Sequence, residues 1–314
     1  MTYDEFLLEW KSDSPAISCH TSGSTGEPKK ILLPKWLLEQ SALRTIRFFN
    51  LQPGSRFHSC ISPEYIGGKM MAVRSILIDG VLTFETPSNS PLKNLDDGII
   101  DLLAVVPSQM KYLVETDYSF ENIKNVIIGG APLPASLTKK IAEKGINAYE
   151  TYGMTETASH IALKKITKQN SGFVPLDGIV IGLDDNNRIT VSLPNPDAKN
   201  LYFVTNDIGE FQEDGSFMIK GRYDNIINSG GIKINPEIIE RIIEEELELE
   251  VLITSEPDDK WGEKIIMIVD DNKMPVSDEE IYALCSRKLK KEMIPKSVIH
   301  AKIVKTANGK KKRK

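Results

Sequence analysis

Between Asp101 and Glu156 the chain alternates short apolar runs with stretches that carry the period and punctuation of helices. Leu102-Leu-Ala-Val-Val-Pro107 precedes SQMKYLVET, and Val126-Ile-Ile-Gly-Gly130 precedes a helix pattern from Pro134 to Lys144 that Gly145 stops. Ala148-Tyr-Glu-Thr-Tyr-Gly153 then leads into a further loop. Buried strands alternating with helices predict a mostly parallel sheet covered by helices. Ligands of such sheets collect beyond the carboxyl ends of the strands. GGAPLP and YGMTET stand at those ends, so this pattern fixes both a fold class and the place to look for a site.

The pattern then changes. Residues 182–221 are rich in Asp, Asn, Gly and Pro, with short strand-like pieces at Arg188-Ile-Thr-Val-Ser192 and Phe217-Met-Ile-Lys220 around a turn at Glu213-Asp-Gly-Ser216. Asn235-Pro236 opens an amphipathic helix with Ile238, Ile239, Ile242 and Ile243 on one face. Strand-like VLITS and KIIMIV follow, then a helix from about Ser277 and a closing strand over Ser297–Val304. The expected class is α/β: a large domain, 1–222, with a helix-covered, mostly parallel sheet and a β-rich end, and a small, mobile α+β domain, 223–314. A chain of 314 residues is long enough for two domains.

Composition narrows the function classes. A net charge of -5 argues against a protein built mainly to grip nucleic acid. Three scattered cysteines and four histidines fit a reducing compartment and make a zinc site unexpected. The N-terminus MTYDEFLLEW carries acids where a signal peptide has a basic region, and no apolar run approaches the ~20 residues that span a bilayer. The expectation is a cytoplasmic protein without membrane insertion. Five basic residues end the chain, Lys310-Lys-Lys-Arg-Lys314, and read first as a solvated tail.

The stretch Thr21-Ser22-Gly23-Ser24-Thr25-Gly26-Glu-Pro-Lys29 does not fit the P-loop spacing. Its two glycines let backbone N–H groups converge, its hydroxyls add donors and Lys29 adds a cation, so it can wrap a polyphosphate. Taken singly it reads more readily as a surface turn. Gly129-Gly130-Ala131, Thr151-Tyr152-Gly153-Met154-Thr155-Glu156-Thr157, Asp207 in TNDIGE, Gly221-Arg222-Tyr223-Asp224, Ser229-Gly230-Gly231-Ile232-Lys233 and Thr306-Ala-Asn-Gly-Lys310 follow it in order. Six further motifs in sequence specify far more than any one of them.

This ordered set resembles the acyl-adenylate-forming superfamily, which includes acyl-CoA ligases, luciferases and peptide-synthetase adenylation domains. The resemblance runs from about Thr21 to Arg313 and implies ATP, Mg²⁺ and CoA as the small molecules used. It implies that the Thr21–Lys29 loop holds the β- and γ-phosphates, that Gly130 and Ala131 lie along the adenine, and that Tyr152 stacks on it beside Gly153. Thr155 would bind the α-phosphate and Glu156 the Mg²⁺. Asp207 would accept hydrogen bonds from both ribose hydroxyls, with Arg222 supporting the sugar. Asp224 matches the hinge, Ser229, Gly230 and Gly231 the side presented to CoA, and Lys310 the lysine that reaches the acyl carboxylate and α-phosphate. Lys311, Lys312 and Lys314 keep the reading of solvated charges, and Arg313 matches a family position without an assigned role.

Tyr65-Ile-Gly67-Gly68-Lys69-Met-Met-Ala-Val-Arg74 and Thr151–His160 most resemble the o-succinylbenzoate–CoA ligases of menaquinone synthesis. Such an acid is an aromatic dicarboxylate: one carboxylate is activated and the other must be satisfied when desolvated. Lys69, Arg74, Ser159 and His160 are the candidates for that task. The chain departs from the pattern at Tyr65 and His160, where histidine and glutamine are usual, and at Asn206, where glycine is usual. It starts only about 20 residues before the loop, so the N-terminal subdomain common in the superfamily is expected to be largely absent, its wall replaced by a compact variant or a homodimer. An adenylating enzyme for another aryl or fatty acid, or for a carrier-protein thiol, and an inactive nucleotide-binding module are the alternatives.

Overall fold

The computed structural model describes residues 1–20, 29–93, 95, 98–169, 171–196, 198–247, 249–270, 275–305 and 311–313. The chain divides into two compact units, Met1–Val180 with Leu193–Lys199, and Ile181–Ser192 with Asn200–Lys314.

The first unit opens with α1 (Tyr3–Lys11), which Thr2 and Glu5 cap reciprocally, and a hairpin of β1 (Ala16–His20) and β2 (Lys30–Pro34). It continues with α2 (Lys35–Phe48), β3 (Arg56–Ser59), α3 (Ile66–Leu77), β4 (Val81–Phe84), β5 (Leu102–Val105), α4 (Pro107–Glu115), β6 (Val126–Ile128) and α5 (Ala135–Glu143). β7 (Ala148–Met154), β8 (Ser159–Lys165) and β9 (Val174–Pro175) close it. Among the described residues, seven strands form one sheet in the order β4-β3-β5-β6-β7-β8-β9. The pairs from β4 to β7 are parallel, and β8 and β9 add antiparallel.

The period-2 pattern explains the covering. Leu103, Val105, Val126 and Ile128 pack with Met110, Leu113, Leu137 and Ile141 of α4 and α5. Leu102, Ala104 and Ile127, one residue out of phase, pack with Ile46 of α2 and Met71 of α3. Alternate side chains of a strand point to opposite faces, so each face acquires its own helical layer. The expected helix-covered, mostly parallel sheet is what forms.

The second unit contains β10 (Val180–Leu183), β11 (Arg188–Leu193), β12 (Leu201–Phe211) and β13 (Phe217–Arg222) in one sheet in chain order. β14 (Ile227–Ser229), β15 (Ile232–Ile234), α6 (Pro236–Leu247), β16 (Glu250–Asp258), β17 (Gly262–Asp270), α7 (Asp278–Lys288) and β18 (Ser297–His300) follow, with a second sheet ordered β15-β14-β17-β16 and β18 parallel to β17. Asn235 Oδ1 accepts from the Glu237 N–H and starts α6 as its sequence indicates, and Ile239 and Ile243 enter a core with Val251, Ile253, Ile265, Met267 and Ile281. The expected boundary at 222/223 falls inside this unit, between β13 and β14. The closing strand is shorter than Ser297–Val304: it ends at His300, one step before its partner β17 runs out at Asp270.

Candidate active site

In the first unit the candidate residues gather at the ends of β6 and β7. Gly129 sits so close to β7 that a Cβ on it would lie 2.5 Å from Thr151 Oγ1, and Gly130 follows with φ +94°. Tyr152 is 8% exposed and packs at a tilt on Phe173, ring centroids 5.8 Å apart. At Gly153 the register of β7 on β8 slips, and a Cβ there would meet the Ser159 carbonyl oxygen at 2.2 Å. Only glycine lets the strands approach so closely.

The slip feeds a short 3₁₀ turn, Thr155–Thr157, which Thr157 locks: its one hydroxyl proton lies between Met154 O (3.0 Å) and Ser159 O (2.9 Å) while its oxygen accepts from Met154 N. Ala158 and Ser159 then both take left-handed backbone, φ +52° and +83°. Two successive non-glycine residues in that region store strain, which persists where surrounding contacts over-determine it. Here Ser41 of α2 donates to Ala158 O at 2.6 Å. Thr155 is buried beside this turn, and the half-buried Glu156 makes no ion pair or side-chain hydrogen bond among the described residues. A carboxylate at such a turn, without an ion pair among the described residues, suits a hard divalent cation.

α3 and α2 close the other side. Gly68 lies on the Ser62 carbonyl, at 2.3 Å from a hypothetical Cβ, and Gly67 faces Ile61. Arg74 is 1% exposed; among the described residues its Nη1 meets Met71 Sδ at 3.7 Å and its Nε and Nη2 have no hydrogen-bond partner. Burial lowers its pKa to about 9. His160 is buried beside it, bonded through Nε2 to Thr45 Oγ1 at 2.8 Å, and burial followed by the Arg74 charge holds it well below the ordinary histidine range. It is therefore neutral at pH 7. Lys69, five residues before Arg74, is also buried but has other surroundings: its ammonium meets Met1 Sδ at 2.7 Å and lies 5.0 Å from the Phe6 ring. Of the candidates for the second carboxylate, Arg74 and His160 come together and Lys69 turns toward α1.

In the second unit Asp207 of β12 stands opposite Arg222 of β13 in register. Arg222 Nη1 donates to Asp207 Oδ1 at 3.3 Å, while Nε and Nη2 hold Asp224 through both oxygens at 3.0 and 2.7 Å. The desolvation cost at Arg222 is outweighed by these two carboxylates, which raise its pKa. Asn206, at the departure from the usual glycine, is an exposed position within β12 and reaches Asp224 Oδ2 at 3.5 Å. Gly230 and Gly231, φ +60° and +81°, form the two-residue turn between β14 and β15, with Ser229 buried at its start and the Gly230 N–H donating to Trp261 O at 2.7 Å. Positive φ at both central residues is what a tight hairpin requires.

The candidate phosphate loop, Thr21, Ser22, Gly23, Ser24, Thr25 and Gly26, and Lys310 lie outside the described residues. Their bases are described. The last pair of the β1–β2 hairpin is His20 with Lys30, so the loop leaves and re-enters at adjacent points, with Lys29 exposed at its end. Lys305 bridges Lys311, and the Lys312 N–H donates to Val304 O at 2.9 Å. The expectation of a solvated Lys311 is corrected: its ammonium donates to Glu244 Oε1 and Val251 O, both at 2.6 Å. Arg313 pairs with both oxygens of Glu240, at 2.5 and 2.9 Å, and donates to Ile253 O at 2.7 Å. These acids lie on α6, and their charge, not solvent, attracts the basic tail.

Sequence reasoning missed one further group, His58, Cys60 and Glu85, whose donor atoms lie within 4.8 Å of one another at the ends of β3 and β4. The His-x-Cys spacing was visible, but its acidic neighbour comes from another strand.

Known proteins place this arrangement. A family model described as AMP-binding enzyme matches residues 5–201. A 2-succinylbenzoate–CoA ligase of Listeria monocytogenes is 27% identical over 98% of this chain and 70% of its own length, and one from Bacillus cereus is 28% identical over 93% and 66%. The chain thus spans about two thirds of these curated relatives. The crystal structure of an acyl-CoA synthetase (AMP-forming)/AMP-acid ligase II-like protein from Dyadobacter fermentans is 33% identical, with 98% of this chain and 90% of that one aligned at a TM-score of 0.64. The o-succinylbenzoate CoA synthetase of Bacillus subtilis, in complex with its acyl-adenylate intermediate, shares the fold at a TM-score of 0.82, with 22% identity over 96% and 68%. With a family model over more than half its length and a solved relative over nearly all of it, this chain belongs to the AMP-binding enzyme family.

Proposed function

We propose that this chain is an ATP- and Mg²⁺-dependent acid–CoA ligase whose acid is an aromatic dicarboxylate of the 2-succinylbenzoate type, acting in the cytoplasm in menaquinone synthesis. The observation that carries the acid is Arg74: a desolvated guanidinium with two donor atoms unused, beside a neutral histidine. Such a group is costly alone and is satisfied by a carboxylate, most completely in two-point geometry. The curated relatives that act on 2-succinylbenzoate support the same choice.

In this reading one carboxylate of the acid attacks the α-phosphorus of ATP, and the bond to the β-phosphate breaks to release pyrophosphate. Lys310 approaches the attacking carboxylate, Thr155 the α-phosphate, and Asp207 the ribose with Arg222 behind it. Glu156 would hold Mg²⁺, which offsets phosphate charge when bound. Gly130, Ala131 and Tyr152 take the adenine. In the second half-reaction the CoA sulfur attacks the acyl carbon, the bond to AMP breaks, and the thiol proton passes to solvent. Asp224 is the pivot between the halves, and the Ser229–Gly231 turn faces CoA. The domain boundary at 222/223 and a homodimer belong to the same proposal.

The test is mass detection of acyl-CoA and AMP after mixing the protein with ATP, Mg²⁺, CoA and 2-succinylbenzoate, beside a panel of aryl and fatty acids. The expected result is 2-succinylbenzoyl-CoA, absent with Lys310→Ala. Product from another acid keeps the ligase and overturns the substrate. ATP binding without product from any acid overturns the ligase.

A further inference from the structure

His58, Cys60 and Glu85 take no part in the chemistry above, yet they are built together. β3 and β4 are adjacent parallel strands in register, with Ser59 opposite Phe84. His58 lies in β3, and Cys60 and Glu85 follow directly after the two strand ends. Backbone bonds fix both ends, Cys60 N to Ala104 O at 3.1 Å and Glu85 N to Ser59 O at 3.2 Å. His58 and Cys60 are buried, and the Glu85 side chain is about three-quarters covered, 24% exposed.

Each donor is also oriented by a second contact. Thr83 donates its hydroxyl proton to Phe57 O at 3.2 Å, so its oxygen accepts from His58 Nδ1–H at 2.8 Å. That assigns the proton to Nδ1 and turns the Nε2 lone pair toward Glu85 Oε2, 4.0 Å away. Both Glu85 oxygens accept the Leu92 N–H at 3.1 Å, and Leu92 holds left-handed backbone, φ +64°, as it delivers that N–H. The Cys60 thiol is hydrogen-bonded to Glu85, and burial and that carboxylate raise its pKa. Ligating histidines elsewhere are oriented in this way through the second ring nitrogen.

We propose that His58 Nε2, Cys60 Sγ and a Glu85 carboxylate oxygen bind one divalent transition metal of the Zn²⁺ type. The thiolate and imidazole exclude a hard ion such as Mg²⁺ from preference, and one thiolate with one carboxylate cancels the charge of a divalent ion at a buried site. Binding releases the Cys60 proton to solvent as the sulfur–metal bond forms. Ordinary Zn–S, Zn–N and Zn–O lengths in a tetrahedron set the donors about 3.5 Å apart, so the site closes by about an ångström. Three protein donors leave the fourth position for water or a small ligand. The ion braces the ends of β3 and β4, independently of Mg²⁺ at Glu156.

The test is titration of chelator-treated, full-length protein with Co²⁺ alone. The expected result is a thiolate-to-cobalt charge-transfer band that saturates at one equivalent, persists in excess Mg²⁺, and is displaced by Zn²⁺. Cys60→Ser abolishes the band, and His58→Gln weakens binding at least about tenfold. A wild-type titration without a charge-transfer band overturns the proposal, as does a band that survives Cys60→Ser in folded protein.

Discussion

Arg74 carries a charge into a place where the described residues give its Nε and Nη2 no partner, and the cost should be measurable with opposite signs in stability and in function. Removing a desolvated, unpaired cation is expected to stabilise: Arg74→Met should raise unfolding free energy by about 1–3 kcal/mol in the absence of substrate. The same change should lower kcat/KM for a dicarboxylic acid at least about thirtyfold, by loss of the buried charge pair, and leave an analogue without the second carboxylate nearly unaffected. The pH dependence follows from the folded pKa of about 9, well below that of the guanidinium in the unfolded chain. Below pH 9 both states are charged and the full penalty applies. Above it the unfolded state holds more protons, so stability rises with pH and the gap to Arg74→Met narrows. His160 works in the acidic range. Its folded value lies well below the ordinary 6.5, so the unfolded chain takes up a proton first as pH falls through 6.5, and stability drops. His160→Gln should flatten that part of the curve in thermal melts between pH 7 and 5.

At the scale of elements, the close approach of β7 and β8 should be the least tolerant feature. Gly153→Ala places a Cβ 2.2 Å from Ser159 O and 2.6 Å from His160 Cα, both backbone atoms, so the strands must part. Several kcal/mol of destabilisation, or a folded protein that no longer binds ATP, is expected by melting and calorimetry. The α6 clamp gives a second test: Glu240→Gln leaves Arg313 and Lys311 short of charge and should cost about 3–5 kcal/mol, as breaking a buried ion pair does. These elements also show what a sequence can tell. α6 and α7 begin where Asn235-Pro236 and Ser277 indicate, because capping is decided within one turn. The two helical layers follow from alternation along β5 and β6. β18 is shorter than its pattern because its length is set by β17, and the tail lysine was misread because Glu244 lies 67 residues away in sequence. Arg74 could be named as a candidate cation, but that its Nε and Nη2 lack a partner among the described residues is a property of packing. Local rules are legible one residue at a time; pairings across the fold are not.

For the molecule as a whole, the proposed two half-reactions require one set of groups to be exchanged for another, and Arg222 is the group that would tie the two assigned sites together. Arg222 holds Asp207, assigned to the ribose, and Asp224, assigned to the pivot, at the same time. Rotation at residue 224 therefore either breaks the two bonds from Arg222 or carries them along, which links nucleotide contact to the turn. Asp224 lies in a 3₁₀ turn, Tyr223–Asn225, and the ideal φ of such a turn, about −60°, is near the value that a proline ring fixes. Asp224→Pro should thus keep the observed turn and forbid its rearrangement, whereas Asp224→Ala removes the carboxylate and leaves rotation free. In the proline variant, pyrophosphate exchange with the acid should stay close to wild type, while transfer from pre-formed acyl-AMP to CoA falls at least about tenfold, which is about 1.4 kcal/mol of barrier. The alanine variant should perform both. Equal losses in both half-reactions with proline, or the same pattern with alanine, would show that residue 224 matters through its bond to Arg222 and not as a pivot.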